Sequence, residues 1–496
     1  MFLTFLRRHH PAMTQIALLS LIGGILGTWG AHMLLLKLQT GAHGDFFWSW
    51  AIGHWQWQHH QIFLNNPAAW NGSAIAGPWV NLEWGWQALL GGLAPRLTHA
   101  PALLLLLILT WAGTWALNAW LMGTLYPASR QHIAPWLILF AVTSLLTGYW
   151  TLRPQILSAL FWPFLLLILW YSVHHPRWLW ALIPLTILWS NTHGDYLLIL
   201  LLLGVEGAFA VWTGQFSRLR RLITWMVIVT GLIILGTPNH LQTIINAVQL
   251  SSNPWIHRGI SEWFSPNFGQ TFWLTVLILW IFAMLAIWHR TLPVRVFIWW
   301  GGTVVATLLH NRFFLYNAPL TAILLASVFL SIRPSETPPA FSLKTLGIAA
   351  LIGFVAFWTV TPFSWSNYLK PQWPSTLIAW TQKHPTPGIL LVPYADGGAW
   401  EAAQVPRIYI DGRADLFLTR STRFQTYLQW NQGFLSSRSL TRQGVTEIIW
   451  SSRTPWNLLL HTTGWHPVFH ADHLTVWRRS SVDSEQFSPV LLKEKR

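Results

Sequence analysis

Acidic side chains are scarce in this chain, with fifteen Asp and Glu among 496 residues, so the position of each one is informative. Asp45 lies in the aromatic stretch HGDFFWSWAIGHW, directly after the first long apolar segment. A carboxylate there can remove a proton from a substrate or bind a divalent cation such as Mg²⁺ or Mn²⁺. It equally suits the first turn of a helix, where the dipole favours negative charge. The residues alone leave both roles open.

A second polar group is the stretch WSNTHGDYLL, which joins two apolar segments through a tight turn that Gly194 permits. It contains Asn191, His193 and Asp195. The His and Asp side chains could bind a phosphate or a metal ion, although a single His-x-Asp pair is a weak metal motif. The alternative is an ordinary polar turn at the membrane surface.

Three further charged residues adjoin or interrupt apolar segments. Arg153 in TLRPQ and Arg312 in HNRFF each precede one, and a lipid-linked phosphate would be a suitable partner for such a guanidinium. Snorkelling to ordinary lipid headgroups is the alternative. Glu206, inside LLLGVEGAFAV, is costly in a membrane unless paired or protonated, so it is either a proton site or a packed acid.

Composition and missing motifs exclude several other kinds of chemistry. The chain has no Cys, which excludes disulfides, thiol catalysis and thiolate metal sites. It has no Gly-rich phosphate loop, nucleophile elbow or zinc-binding helix motif, so no nucleotide is expected. The net charge is +15, but Lys and Arg separate apolar runs instead of forming a basic domain. That pattern indicates membrane topology and not nucleic-acid binding.

These groups must therefore be positioned by a membrane scaffold. The chain is 53% hydrophobic and 9% charged, whereas soluble domains carry about 25% charged residues. A helix of about 20 apolar residues crosses the hydrocarbon core. The sequence predicts an α-helical polytopic membrane protein with about eleven transmembrane helices, at 14–36, 100–125, 133–150, 155–173, 178–191, 196–214, 222–237, 271–288, 296–310, 313–331 and 345–362.

Basic residues set the orientation, because Lys and Arg are enriched in cytoplasmic loops. With Arg7 and Arg8 in the cytoplasm, most of the other basic residues of the membrane part fall there too. An odd number of spans then places the C-terminal region outside. Asp45, Glu83 and Asp195 also fall on the outer side. The prediction is a multi-pass plasma-membrane protein with a cytoplasmic N-terminus and a polar site at its extracytoplasmic face.

Domain boundaries follow from a shift in composition after residue 362. The polar segment that follows predicts a small extracytoplasmic α/β domain, with strands at GILLVP, RIYID, TEIIWSS and LTVWRR and helices at 419–436 and 455–463. This domain has two Asp-Gly turns, at Asp396-Gly397 and Asp411-Gly412. They are either functional loops or plain turns. The predicted parts are a membrane domain at 1–362 with a long outer loop at 37–83, a linker at 363–384, the α/β domain at 385–480 and a disordered polar tail at 481–496.

Several stretches together resemble a widespread group of bacterial multi-span proteins. They are DFFWSWAIGHW, GPWVNLEWGWQALL, LRPQILSALFWP, WSNTHGDYLL, ISEWFSPNFGQTFWL, NRFFLYNAPLTAILLA, YADGGAW and RIYIDGRADLF, in this order, over most of residues 40–430. The group is similar to the GT-C superfamily of membrane glycosyltransferases, which use polyprenyl-phosphate-linked sugars. The resemblance therefore implies a GT-C-like fold for the transmembrane domain.

The resemblance also implies roles for particular residues. The superfamily has an Asp in its first extracytoplasmic loop, acting as base or metal ligand, and that position is Asp45. The group's Glu-Trp falls on Glu83, its Asn-x-His-Gly turn on Asn191 and His193, and its late-span Arg on Arg312. The chain departs from the group at Ser49, where the group often has His.

The resemblance thus favours a glycosyltransferase that moves a sugar from a polyprenyl-phosphate donor in the membrane to a glycan, lipid or protein acceptor. Asp45 would be the base or metal ligand and Glu83 would support it. Arg153, His193 and Arg312 would hold the donor phosphate. One alternative is a carrier or flippase with Glu206 as a proton relay. Another is a non-catalytic envelope-assembly protein whose outer domain binds a partner.

Overall fold

The protein is mostly helical and divides into two compact units. The computed structural model describes residues 11–39, 44–66, 77–96, 101–332, 343–360, 368–369, 373–420, 422–471 and 473–479. The membrane unit consists of Met1–Ala42 and Asn81–Pro371, and the α/β unit consists of His43–Val80 and Gln372–Arg496. The predicted tail at 481–496 lies outside the described residues.

Within the membrane unit, the described helices match the positions of the predicted spans but not all of their lengths. Five are long and apolar enough to cross a membrane: Pro101–Leu125, Gly194–Trp212, Phe216–Gly236, Thr271–Trp288 and Asn311–Ile332. Shorter apolar helices are Ala134–Ser144, Gln155–Tyr171, Val294–Leu309 and Gly347–Trp358. The polytopic membrane class is thus supported, whereas the count of eleven spans is not confirmed.

The remaining helices of the membrane unit begin and end the unit or connect its apolar helices. They are Pro11–Gln39, Trp84–Leu93, Leu182–Ser190, Leu241–Ser251 and Pro254–Gly259, and the helix that contains the apolar segment Gly347–Trp358 runs from Leu343 to Val360. Two of the long apolar helices begin with a short 3-10 turn, at Gly194–Tyr196 and at Asn311–Phe313. Asp195 lies in the first turn and Arg312 in the second, so the two turns fix the backbone positions of these residues.

Glu206 holds three helices of the membrane unit together through a buried charge cluster. Its carboxylate accepts hydrogen bonds from the Arg295 Nε at 2.6 Å, from the Trp299 Nε1 at 2.7 Å and from Arg218. All three charged side chains are buried. Arg295 also donates to the Leu169 carbonyl at 2.7 Å, which adds a fourth helix. The acid is therefore a paired, packed group.

The α/β unit is built on a four-stranded sheet with strand order Ile389–Leu391, Val445–Ser451, Leu474–Arg479 and Trp465–Ala471. The first two strands pair in parallel, and the other two pairings are antiparallel. The central strand VTEIIWS is rich in β-branched residues and mostly buried, as a core strand should be. The unit also contains a two-stranded pairing of Asn65–Asn66 with Gly77–Pro78.

The unit also contains helices, and one of them comes from the segment that precedes the membrane unit's long helices. That helix is Gly44–His59, which carries Asp45. The others are Ser375–Lys383, Gly397–Ala402, Ala414–Arg420, Arg423–Asn431, Ser437–Arg442 and Trp456–Thr462. The sequence boundaries placed residues 37–83 with the membrane domain, whereas the fold groups His43–Val80 with the C-terminal segment.

The Glu206 cluster yields a stability prediction. Glu206→Gln leaves the buried Arg218 and Arg295 guanidiniums without a counter-charge, and breaking a buried ion pair in this way costs about 3–5 kcal/mol. We expect a matching fall in the free energy of unfolding of the detergent-solubilised protein. The exposed Arg220 lies on the same helix as Arg218, and Arg220→Gln should change it by no more than about 0.5 kcal/mol. Equal stability of the two variants would contradict the assignment of a buried charge cluster.

Candidate functional site

The membrane unit brings His193, Asp195 and Arg312 together, as the sequence led us to expect for a polar site. The Arg312 Nη2 donates to the Asp195 Oδ1 at 3.1 Å and to the His193 Nε2 at 3.3 Å. The Tyr316 hydroxyl donates to the other carboxylate oxygen of Asp195. We call His193, Asp195, Arg312 and Tyr316, with Ser158, the Arg312 cluster.

The hydrogen bonds of His193 fix its tautomer. Because a guanidinium N–H donates to Nε2, the imidazole proton must be on Nδ1. That nitrogen lies 2.8 Å from the Ser158 Oγ and 3.3 Å from the Asp195 Oδ2. The Ser158 Oγ also accepts from the Trp189 Nε1 at 2.8 Å, which ties the cluster to two further helices. His193 thus orients Arg312 and Asp195 rather than presenting a free nitrogen.

Burial keeps His193 neutral. Its burial lowers the pKa to about 4, although the neighbouring Asp195 acts in the opposite direction. At neutral pH the imidazole therefore contributes hydrogen bonds and no charge. Arg312 supplies the positive charge of this cluster.

Arg312 retains hydrogen-bonding capacity. Its hydrogen bonds to His193 and Asp195 use only the Nη2 group, and the guanidinium also lies over the Trp263 ring at 4.9 Å from the centroid. Within the part of the chain that the structure describes, Nε and Nη1 donate to no protein atom. A guanidinium offers five N–H donors in a planar fork that matches phosphate oxygens. The group is therefore able to bind an oxyanion.

Arg153 has an acidic partner in the membrane unit. Its Nη1 lies 2.6 Å from the Glu262 Oε1, and both side chains are about one fifth exposed. Both charges act on the electrostatics of His193, which places the pair beside the Arg312 cluster. The formal charges of Arg153, Glu262, Asp195 and Arg312 sum to zero.

Asn191 and Glu83 lie where two segments of the membrane unit join. The Asn191 Oδ1 accepts from the Trp84 Nε1 at 2.6 Å, and its amide nitrogen donates to the carbonyls of Ile187 and Gly236. Its backbone carbonyl accepts from Gly85 N at 2.8 Å. Glu83 is the N-cap residue of Trp84–Leu93 and makes no side-chain capping bond. Asn191 therefore fixes the turn that carries His193.

Asp45 lies in the α/β unit, in the first turn of Gly44–His59. The carboxylate is partly exposed, and its Oδ1 accepts from the Trp48 Nε1 at 3.3 Å. Ser49, the departure from the resembled group, is buried, and its hydroxyl has no hydrogen-bond partner among the described residues.

The two Asp-Gly turns of the α/β unit contact the start of this helix. A methyl group at Gly398 would overlap with the Gly44 carbonyl oxygen, and one at Gly412 would overlap with the Asp45 Oδ1. The Tyr394 hydroxyl donates to the Gly412 carbonyl at 2.7 Å. We call Asp45, Trp48, Tyr394 and Gly412 the Asp45 site.

Arg413 fixes the turn that contains Gly412. Its backbone N–H and its Nε both donate to the Asp411 Oδ1, at 2.8 and 3.0 Å, and its Nη2 donates to the Asp411 Oδ2 at 2.6 Å and to Glu401. At the next residues, Trp79 Nε1 donates to the Asp415 Oδ2 at 2.6 Å. The buried pairing makes the turn a rigid support.

A divalent cation does not fit these residues. Among the described residues, no three His, Cys, Asp or Glu side chains form a group that could hold a metal ion. Asp411 is bound by Arg413, and Asp415 accepts from Trp79. Asp45 alone does not make a site for Mg²⁺, which prefers octahedral oxygen coordination. We derive no chemical step through a metal.

Sequence reasoning missed Tyr316 and the partners of Glu206, and it placed Tyr394 and Gly412 in the two Asp-Gly turns without connecting them to Asp45. Tyr316 lies four residues after Arg312, the spacing that puts side chains on one helical face, so a search for i, i+4 partners would have found it. The approach of Gly412 to Asp45 has no local sequence signal, because the two residues are far apart in the chain.

Comparison with known proteins gives a fold likeness. No family model matches the sequence, and no curated protein matches it. Among solved structures, the chain is similar to an archaeal oligosaccharyltransferase. That protein is AglB from Archaeoglobus fulgidus, in complex with an inhibitory peptide and a dolichol-phosphate. The TM-score is 0.50 at 10% identity, covering 90% of this chain and 70% of AglB. At this identity the likeness concerns the fold, and it supports the GT-C-like resemblance.

The burial of His193 predicts a pH dependence of stability. The pKa of His193 in the folded protein, about 4, lies below the ordinary histidine pKa of 6.5. Protons therefore bind preferentially to the unfolded chain. The free energy of unfolding therefore has its full value above pH 6.5. It falls by about 3 kcal/mol in total as the pH falls towards 4.

The measurement is the melting temperature between pH 7 and pH 4 for the parent protein and His193→Gln. The variant should lose less stability than the parent over that window, whereas replacing the exposed His289 by Gln should leave the pH profile unchanged. Parallel profiles for the parent and His193→Gln would show that His193 is not buried in its neutral form.

Proposed function

We propose that the protein is a membrane glycosyltransferase. It moves a sugar from a polyprenyl-phosphate-linked donor to a glycan, lipid or protein acceptor at the extracytoplasmic face. The fold likeness to an oligosaccharyltransferase solved with a dolichol-phosphate and a peptide supports this reaction class. The observation that carries the proposal is the placement of Asp45, a partly exposed carboxylate at a helix start with a fixed orientation.

Asp45 is the general base in this reaction. Its carboxylate takes the proton of the acceptor group as the acceptor atom forms its bond to the anomeric carbon. The bond between that carbon and the phosphate oxygen breaks, and the electron pair leaves with the polyprenyl phosphate. A positioned base contributes roughly 10²–10⁴-fold to such a step. The lipid carries the activated sugar, so no nucleotide is needed outside the cell.

The Arg312 cluster and Arg153 are the proposed groups for the donor phosphate. Arg312 is the main ligand, because its Nε and Nη1 donors are not used by the described residues. His193 and Asp195 orient the guanidinium, and Asn191 fixes their turn. Glu83 has a supporting role in the proposal by resemblance alone.

The alternatives have less support from the contacts of their key residues. The carrier hypothesis relies on Glu206 as a proton relay, but its carboxylate accepts bonds from two arginines and a tryptophan, which favour a permanently paired acid. The envelope-assembly hypothesis needs a C-terminal domain that acts separately. In the α/β unit, however, the C-terminal turns pack directly on the helix that carries Asp45.

The decisive experiment replaces Asp45 by Asn in the full-length protein. Transfer from a polyprenyl-phosphate-linked sugar should fall by roughly 10²–10⁴-fold, because the amide cannot accept the proton. Product formation is measured with the purified protein in lipid vesicles, and a melting curve checks folding. Glu447→Gln is the control, since it lies on the central strand of the sheet and its amide oxygen can still accept from Arg478, and it should keep most of the activity. Full activity of Asp45→Asn would rule out Asp45 as the base.

A further inference from the structure

We propose that Tyr394 and Gly412, from the C-terminal part of the chain, are positioning residues for the Asp45 carboxylate. The inference rests on the proposed function, in which Asp45 is the base. It assigns to the two Asp-Gly turns a role in the orientation of that base. The C-terminal module is then part of the reaction machinery.

The contact at Gly412 depends on the missing side chain. A Cβ at this position would overlap with the Asp45 Oδ1 and would lie 2.8 Å from the Trp48 Nε1. Gly412 is not among the glycines with positive φ, so its backbone does not require glycine. Glycine is required here because a side chain would overlap with neighbouring atoms. The space that the absent side chain leaves is occupied by the carboxylate and by the indole that binds it.

The backbone at Gly412 is itself held in place. The Tyr394 hydroxyl donates to its carbonyl at 2.7 Å, and the following residue, Arg413, binds Asp411 through three of its nitrogens. Burial raises the pKa of Tyr394 well above 10, and the nearby Asp45 carboxylate adds to this effect. The phenol thus stays protonated and remains a donor at neutral pH. The Gly412 backbone is thus held in place, and it limits the positions open to the Asp45 carboxylate that contacts it.

The helix carrying Asp45 is held against the same module at a second point. A methyl group at Gly44 would overlap with the Ala395 carbonyl oxygen, and one at Gly398 with the Gly44 carbonyl oxygen. Two backbones therefore meet without intervening side chains, directly before Asp45. Because both turns contact this helix start, a small shift in either one is transmitted to the carboxylate.

Gly412→Ala tests the inference directly. The new methyl group displaces the Asp45 carboxylate and also contacts the Trp48 indole that binds it, so the carboxylate loses its present position. A misplacement of about 1 Å at a catalytic group costs up to about 10²-fold in rate. We expect kcat to fall by about 10-fold to 100-fold, with KM for the lipid-linked donor changed by less than about 3-fold, because donor binding does not use Asp45.

Two variants accompany it. Gly204→Ala adds the same methyl group on a membrane helix with nothing within 4 Å, and it should keep the parental kcat. Tyr394→Phe removes only the hydroxyl that donates to Gly412, and it should lower kcat with KM unchanged, which keeps the inference testable should Gly412→Ala fold poorly. Parental kcat in folded Tyr394→Phe and Gly412→Ala overturns the positioning role.

A cross-link gives a readout that does not depend on activity. The chain has no Cys, and a Cβ at position 412 would overlap with the end of the Asp45 side chain. Cys side chains at positions 45 and 412 would therefore meet, and a disulfide needs Cβ atoms about 3.5–4.5 Å apart. The double variant Asp45→Cys/Gly412→Cys should therefore form an intramolecular disulfide under mild oxidation, seen as a mobility shift that reductant reverses. Absence of the disulfide would show that the contact does not exist and would overturn the inference, whereas an active Asp45→Asn would overturn the proposed function instead.

Discussion

The close approach of the Asp45 helix to the two Asp-Gly turns is the constraint on which the rest depends. Three glycines allow it, since a methyl group at Gly44, Gly398 or Gly412 would overlap with an atom of the opposing segment. Protein interiors are close-packed, so such a contact admits few alternatives. It gives the carboxylate at this helix start a defined orientation.

The same contact constrains the topology of the whole chain. His43–Val80 and Gln372–Arg496 share one compact unit, and two segments with a common core must lie on the same side of a bilayer. On the predicted topology, the chain between them must then cross the membrane an even number of times. Ten of the predicted spans lie between those segments in the sequence, which agrees with this parity.

In the membrane unit, ion pairs between arginines and acids hold the helices in place. Each buried or half-buried arginine discussed above has an acidic partner, Glu206 for Arg218 and Arg295, Asp195 for Arg312 and Glu262 for Arg153. An unpaired charge is costly where water is excluded. Asp195, Glu206 and Glu262 thus each neutralise at least one guanidinium.

Local sequence predicts local features and little of what joins them. The apolar segments, the helix start at Asp45 and the tight turn before Asp195 were all readable from residue type and spacing. The strand Trp465–Ala471 was missed, because Pro467 and an exposed pattern are typical of an edge strand and hide its alternation. The grouping of residues 43–80 with the C-terminal segment could not be predicted, since it depends on shape complementarity between distant glycines.

Single-cysteine labelling of the cysteine-free chain tests the shared side of these two segments most directly. Gln61→Cys and Phe434→Cys lie at exposed positions of the α/β unit, and Phe216→Cys lies at an exposed position in a predicted cytoplasmic loop. In intact cells, a membrane-impermeant thiol reagent should label positions 61 and 434 and should reach position 216 only after permeabilisation. Labelling of only one of positions 61 and 434 before permeabilisation would place Asp45 and the C-terminal turns on opposite sides of the membrane and would contradict their contact.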